Sequence, residues 1–242
     1  MSARRMMVIG AHSADFVWRA GGAIAVTTAV GGEAAVIALS YGERGESGEL
    51  WKDQDPAHPQ TIENVKKIRH GEAERAAAAL GASFDCLDLG DYPLEIDGDG
   101  LRLISDRIRE FGPEVLITHT DTDPFNPDHP IAHYAVDRAR GLAAGAGVAS
   151  AFKTIRPPAL FLFEPHQPEL CNFTPTTFVD ITSVIDSKLA AMSEMKAQKY
   201  LQSYYAERAD HRGNHARRSS GNADIRQAEA FQRVTPDVVS AL

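Results

Sequence analysis

The sequence predicts an α/β protein, with three layers of helix, sheet and helix around a mostly parallel sheet and an active site at the carboxyl ends of its strands. Three observations lead there. Short apolar runs alternate with helical patterns through the first two-thirds of the chain, which is the signature of βαβ units. A chain of 242 residues that is 43% hydrophobic can bury one full core, so a single domain over 1–242 is expected. Histidines, carboxylates and arginines recur just where apolar runs stop, and open parallel sheets bind ligands outside those strand ends.

The first strand is Met6–Ile9, and Asp15–Ala29 follows as a helix with Phe16, Ala20, Ala23, Ile24 and Thr27 on one face. Glu33–Leu39 is the second strand. Glu43–Thr61, with glycine, proline and many charges, is a long loop of the kind that is usually functional or mobile. Asn64–Leu80 is a helix ended by Gly81, the residue type expected just past a helix end. Phe84–Leu89 is a third strand, Leu101–Phe111 a helix and Glu114–Thr118 a fourth strand. The loop His119–Asp128 leads into a helix over Pro130–Arg140, with proline in the tolerated first turn. Ala159–Phe163 and Thr177–Ile181 are two more strands, and Val184–Tyr205 a long helix. The arginine- and histidine-rich tail, Glu207–Arg233, is expected to end in another short helix.

A net charge of −8 argues against a nucleic-acid or anionic-membrane surface, which would need a basic stripe. Two cysteines, Cys86 and Cys171, form neither metal-type spacing nor a disulfide framework. Cys86, in an apolar run, is expected to be buried, and the usage suits a reducing cytoplasm. Arg4-Arg5 precedes too few apolar residues for a signal-peptide core. The uncharged run over 20–32 holds four glycines and is too short to span a bilayer. A soluble protein is expected.

The strand ends carry His12 and Asp15, then Arg44 and Glu46, then Asp91, then His119 through His129, then Glu164 and His166. His12, Asp15 and His129 would make a two-histidine, one-carboxylate site, three protein ligands with an open position as in a catalytic metal centre. Zinc is the commonest occupant of such a site, and Fe(II) accepts the same ligand types. The alternative is that Asp15 caps its helix and His12 is a turn residue. His133 shares a helix face with His129 but is read as packing or surface. Arg44 and Glu46 are a solvated loop unless a metal lies nearby, and Arg208, Arg212, Arg217 and Arg218 a solvated face or subunit contact. Neither GxGxxG nor GxSxG is present, which argues against a nicotinamide cofactor and a serine hydrolase.

Ala11-His12-Ser13-Ala14-Asp15, Arg44-Gly45-Glu46, Arg69-His70-Gly71-Glu72-Ala73 with Leu80-Gly81, and Asn126-Pro127-Asp128-His129 together resemble the LmbE/PIG-L family of zinc-dependent N-acetylsugar deacetylases. The order and spacing extend to Phe178–Ile181 and Ala228–Phe231. The resemblance implies a Rossmann-like fold and His12, Asp15 and His129 as ligands of Zn2+ or another divalent metal. Two positions depart from the family pattern. Its general-base aspartate is Ala14 here, and the histidine that stabilises the oxyanion is Asn126. Amide hydrolysis needs a base for water and a donor for the tetrahedral oxygen. An alanine cannot take a proton.

The runs Ala11–Gly22, Gly42–Ser47, Gly90–Pro93 and Phe163–Glu169 resemble the hydratase branch of that family. That branch adds water to 4-oxalomesaconate, a tricarboxylic keto acid of gallate breakdown, giving 4-carboxy-4-hydroxy-2-oxoadipate. The resemblance implies a small-molecule substrate, Glu46 as general base and His166 as acid, with the two roles exchangeable. It also implies Arg44, Arg69 and Asn126 at the substrate, and a cytoplasmic homo-oligomer. An N-deacetylase that has recruited Glu46 as its base, and a non-catalytic binder of organic acids, are the other readings.

Overall fold

In the computed structural model, which describes residues 4–52 and 57–239, the apolar runs pair into one seven-stranded sheet. The strands are β1 (Arg5–Gly10), β2 (Glu33–Ala38), β3 (Ser83–Cys86), β4 (Val115–Thr118), β5 (Ala159–Phe163), β6 (Thr177–Asp180) and β7 (Ala228–Arg233). Their order is β3-β2-β1-β4-β5-β7-β6. The first five are parallel, and β7 runs antiparallel to both β5 and β6. The chain leaves β1 towards β2 on one side, whereas β4 lies on the other side and leads outward to β5. The crevice between the carboxyl ends of β1 and β4 is therefore a topological switch point.

Alternation along the strands divides the core between two faces. Met6 and Val8 pack with α1 (Asp15–Ala29), α3 (Ile62–Ala79), α6 (Ile185–Glu194) and α7 (Gln202–Ser220). Met7 and Ile9 face α4 (Gly98–Phe111) and α5 (Asp128–Ala144), against Ile104, Ile108, Val136 and Ala139. The three-layer α/β/α expectation holds. α3 starts where the Thr61 hydroxyl accepts from the Asn64 amide. α4 starts three residues earlier than the periodicity predicts, because the Asp97 carboxylate accepts from the Asp99 and Gly100 amides.

Three expectations are corrected. The long loop over 43–61 contains a short helix, α2 (Gly48–Trp51), and its residues 53–56 lie outside the described residues. The helix expected over Val184–Tyr205 is interrupted. α6 ends at Glu194, and a 3-10 segment, Lys196–Leu201, precedes α7, with non-helical backbone at Gln198 (φ −135°, ψ 33°). The tail forms the long helix α7 and then the strand β7, not a short helix. Ala228–Phe231 is buried throughout, so it lacks the alternation that marks a half-exposed strand. Cys86 is half-buried and Cys171 buried. Among the described residues, no helix is long and apolar enough to cross a membrane.

β7 also carries a buried ion pair into the flank of α1. Glu229 accepts from the Gly22 and Ala23 amides, each at 2.8 Å, and pairs with Lys188, which donates to the Trp18 carbonyl at 3.0 Å. Both side chains are almost fully buried. Removing one partner leaves the other as an uncompensated buried charge, so Glu229→Ala is expected to cost about 3–5 kcal/mol. Urea denaturation measures this, and a loss below about 1 kcal/mol would contradict a stabilising role for the pair.

Candidate metal centre

The turn after β1 brings His12 and Asp15 into the switch-point crevice, and the N-terminus of α5 brings His129 to meet them. One ligand atom from each of the three lies within 4.8 Å of the other two. All three side chains are almost fully buried. His12 Nδ1 and His129 Nε2, the ring nitrogens that face Asp15 at 3.7 Å each, have no hydrogen-bond partner. Two buried imidazole lone pairs beside a carboxylate are a donor set for a divalent cation.

The opposite face of each ring is held by a second carboxylate. His12 Nε2 lies 3.2 Å from Asp128 Oδ2, and His129 Nδ1 lies 2.7 Å from Asp123 Oδ2. A carboxylate accepts the N–H on that side, which leaves the lone pair on the inward nitrogen. Asp128 also accepts from the Tyr92 and Leu94 amides, both at 2.9 Å, and so ties the loop after β3 to the ligand. Asp15 does not cap α1 with its side chain. It is the first helical residue, and its Oδ2 accepts from the His12 amide at 2.8 Å. Its other partners are His119 Nε2 at 3.0 Å and Arg19 Nη1 at 3.4 Å. Asp15 therefore does not serve as the side-chain cap of α1, and the turn it closes with the His12 amide brings both side chains to the crevice.

Glu46 stands across the crevice. Its Oε1 lies 3.5 Å from His12 Nδ1 and 3.8 Å from His129 Nε2. Asn126 Nδ2 donates to that oxygen at 2.7 Å, and Gln198 Nε2 donates to Oε2 at 3.0 Å. Two glycines shape this loop. Gly42 takes a left-handed backbone (φ +68°), and a Cβ on Gly45 would stand 2.1 Å from the Tyr92 ring. Ala14, where the family's aspartate is expected, is fully buried.

The remaining expected residues take varied positions. Arg44 is half exposed at the rim, and its guanidinium donates to the Asp91 carbonyl at 3.0 Å. Asn126 accepts from the Asp128 amide at 3.1 Å, which directs its own NH2 to Glu46. Arg69, expected at the substrate, is fully buried and spends its donors on Glu72, Gln198 and the Tyr41 carbonyl. It has no exposed surface with which to meet a ligand. His166, after β5, pairs through Nδ1 with the Tyr205 hydroxyl at 3.0 Å, and that hydroxyl accepts from Arg19 at 3.3 Å. His133 is bound through Nδ1 to the His119 carbonyl at 2.8 Å and serves packing. Asp123, Asp128, Gln198, Arg19 and Tyr205 were not singled out from the sequence. The two aspartates had a signal, since metal-ligating histidines usually donate their second N–H to a carboxylate.

Charge decides how the residues titrate. Burial pulls His12 down, but Glu46, Asp128 and Asp15 together outweigh it and push its pKa up to about 9. Burial would raise Asp15, yet His119, Arg19 and His129 hold it well below the usual carboxylate range. Burial, followed by the neighbouring His119 and Arg19, keeps His129 well below the ordinary histidine value. Burial, with Arg19 nearby, pushes His166 down to about 3. The centre therefore holds a proton on His12 where a metal would sit.

A family model described as GlcNAc-PI de-N-acetylase (PIG-L) matches residues 7–140. A 4-oxalmesaconate hydratase of Pseudomonas putida KT2440 is 44% identical over 98% of this chain and 91% of its own length. The crystal structure of GalB, the 4-carboxy-2-hydroxymuconate hydratase from Pseudomonas putida KT2440, superposes with a TM-score of 0.94 at 44% identity, covering 99% of each chain. The N,N'-diacetylchitobiose deacetylase of Pyrococcus horikoshii shares the fold, with a TM-score of 0.77 at 18% identity over 96% of this chain and 84% of its own.

A metal ligand must be deprotonated, so a divalent cation entering near neutral pH is expected to release about one proton, from His12. Affinity should rise with pH up to about 9 and level off above it. Calorimetric titration of the metal-free protein with zinc, in buffers of differing ionisation enthalpy, measures the release. Identical apparent heats in all buffers would contradict the charge balance described.

Proposed function

The chain belongs to the PIG-L family, and from that premise we propose that it is a hydratase, adding water to the conjugated double bond of 4-oxalomesaconate to give 4-carboxy-4-hydroxy-2-oxoadipate. The observation that carries this reading is the exchange of bases. Ala14 is inert and buried where a deacetylase keeps its aspartate, while Glu46 presents a clamped carboxylate to the same crevice from the loop after β2. The likeness to the Pseudomonas hydratase extends over almost the whole chain and supports the choice of reaction. The same reading carries with it zinc as the metal, a cytoplasmic setting and a step in gallate breakdown.

Three demands follow from the chemistry. Water must lose a proton as its oxygen bonds to C4, electron density must move to the conjugated carbonyl side, and the adjacent carbon must gain a proton. His12, Asp15 and His129 would hold the metal, which when bound supplies a Lewis acid for the substrate's oxygens. Glu46 takes the proton from water. Both of its oxygens accept amide hydrogen bonds, which fix the direction of the side chain in the crevice. His166 gives the proton. Its Nδ1 is directed to the Tyr205 hydroxyl, which leaves the Nε2–H for the substrate. As that proton departs, Nδ1 takes one from Tyr205; burial pushes that phenol up to about 12, the Arg19 guanidinium beside it offsets part of the cost, and the proton taken up by Glu46 must return to Tyr205 through solvent to close the cycle. A ring kept neutral by burial suits this exchange, since it never has to carry a full charge. Arg44, half exposed at the rim, is the cation for a substrate carboxylate, where arginine's planar fork is well matched. Arg69 supports the base from behind and does not touch the substrate.

With zinc-replete protein, 4-oxalomesaconate is expected to lose its conjugated absorbance while an N-acetylglucosamine substrate releases no acetate. Acetate release with the keto acid untouched would overturn the hydratase reading. Glu46→Gln should lower turnover by about 10²–10⁴-fold with zinc content unchanged. Normal turnover in that variant would remove Glu46 as the base.

A further inference from the structure

Gln198 lies in the break between α6 and α7, far in sequence from every residue of the metal centre. Its backbone departs from helical angles inside a 3-10 segment, and its side chain is 3% exposed. A glutamine in such a break ordinarily faces solvent. Here the break turns it into the crevice, where both ends of its amide are used.

The amide has one orientation. Oε1 accepts from Arg69 Nη2 at 3.0 Å and lies 3.4 Å from the indole nitrogen of Trp18. Guanidinium and indole N–H groups only donate, so the carbonyl end must face them. The NH2 end is thereby committed to Glu46 Oε2. Arg69 is fixed in turn by Glu72, whose Oε2 accepts from Nη1 at 2.9 Å and whose Oε1 accepts from the Ala197 amide at 3.0 Å. Glu72 thus holds both the arginine and the backbone next to the glutamine. The relay from Glu72 through Arg69 and Gln198 ends on the oxygen of Glu46 that points away from the two inward histidine nitrogens.

We propose that Gln198 is the positioning residue for Glu46, holding its Oε2 so that Oε1 stays aimed at the substrate. The inference rests on the reading of Glu46 as the base. Glu46 has three rotatable bonds and sits on a loop with its side chain 16% exposed, so a carboxylate held at one oxygen alone would swing towards water. Asn126 grips Oε1 and Gln198 grips Oε2, which together fix the plane of the carboxylate. The amide also keeps the Arg69 guanidinium one residue away, so that orientation is passed to the base without a direct ion pair. Gln198 does not touch the reacting atoms. It acts through Glu46.

The test is a double-mutant cycle on the zinc-loaded enzyme with 4-oxalomesaconate. Gln198→Met keeps the length and bulk of the side chain and removes its hydrogen bonds to Trp18, Arg69 and Glu46. It is expected to lower kcat by about 10²-fold, the scale of a misaimed catalytic group, with KM and zinc content essentially unchanged. In a Glu46→Gln background the same substitution should add almost nothing, because its effect passes through the carboxylate. An equal loss in both backgrounds, a loss of zinc, or a rise in KM with kcat preserved would show a structural role and overturn the proposal. If Glu46→Gln alone is fully active, the base reading fails. If Glu46→Gln is inactive and Gln198→Met is not, the relay alone fails. Circular dichroism and thermal unfolding of each variant confirm the fold, and Gln198→Leu replaces Gln198→Met if the latter does not fold.

Discussion

Asp15 must satisfy several groups at once, and the arrangement of the centre follows from how it does so. Its Oδ2 accepts from the His12 amide, which closes the turn after β1, and from His119 at the end of β4. Its Oδ1 faces Arg19 one turn further along α1 and His129 at the head of α5. One buried carboxylate therefore joins the two strands that border the switch point and the helix that crosses it. Without Asp15, Arg19 and His119 would lose the carboxylate that both of them face. With it, the crevice has a fixed anionic floor around which the histidines are arranged.

The surplus of carboxylates explains the rest of the electrostatics. Asp123 and Asp128 stand behind His129 and His12, and Glu46 stands in front. In the metal-free state the nearest imidazole answers by keeping a proton, which is why His12 rises although it is buried. A divalent cation serves the same electrostatic need better, since on displacing that proton it would meet two inward ring nitrogens and a carboxylate at one point. In the proposed reading, a change of base from position 14 to position 46 would leave His12, Asp15 and His129 where the family has its metal ligands. It would move the proton acceptor to a wall of the crevice held by the amides of Asn126 and Gln198. The same fold can then serve addition to a double bond as well as hydrolysis of an amide, because the chemistry lies in the loops at the strand ends.

Much of this was legible in the residues. The strands β1 to β4 and the parallel sheet follow from apolar runs that end in polar turns, and the grouping of His12, Asp15 and His129 is suggested by those turns together with the family resemblance. What escaped has physical reasons. β7 is buried on both faces and shows no alternation, so its Ala228–Phe231 run reads equally as helix. The break at Gln198 is imposed by Glu72 taking the Ala197 amide from a distant helix, a tertiary bond that local periodicity does not register. Arg69 matches the family pattern, yet whether an arginine faces substrate or supports another side chain depends on burial. His119 was visible at a strand end, but its role depends on Arg19 and Asp15 meeting it from another element.

In the proposed mechanism Glu46 is a base held beside the metal and not one of its ligands. A crystal structure of the zinc-loaded protein, with the metal located by anomalous scattering, tests it most directly. Zinc is expected on His12 Nδ1, Asp15 and His129 Nε2, with Glu46 still accepting from Asn126 and Gln198. A Glu46 carboxylate released from both amides and bonded to the zinc as a permanent fourth protein ligand would contradict it.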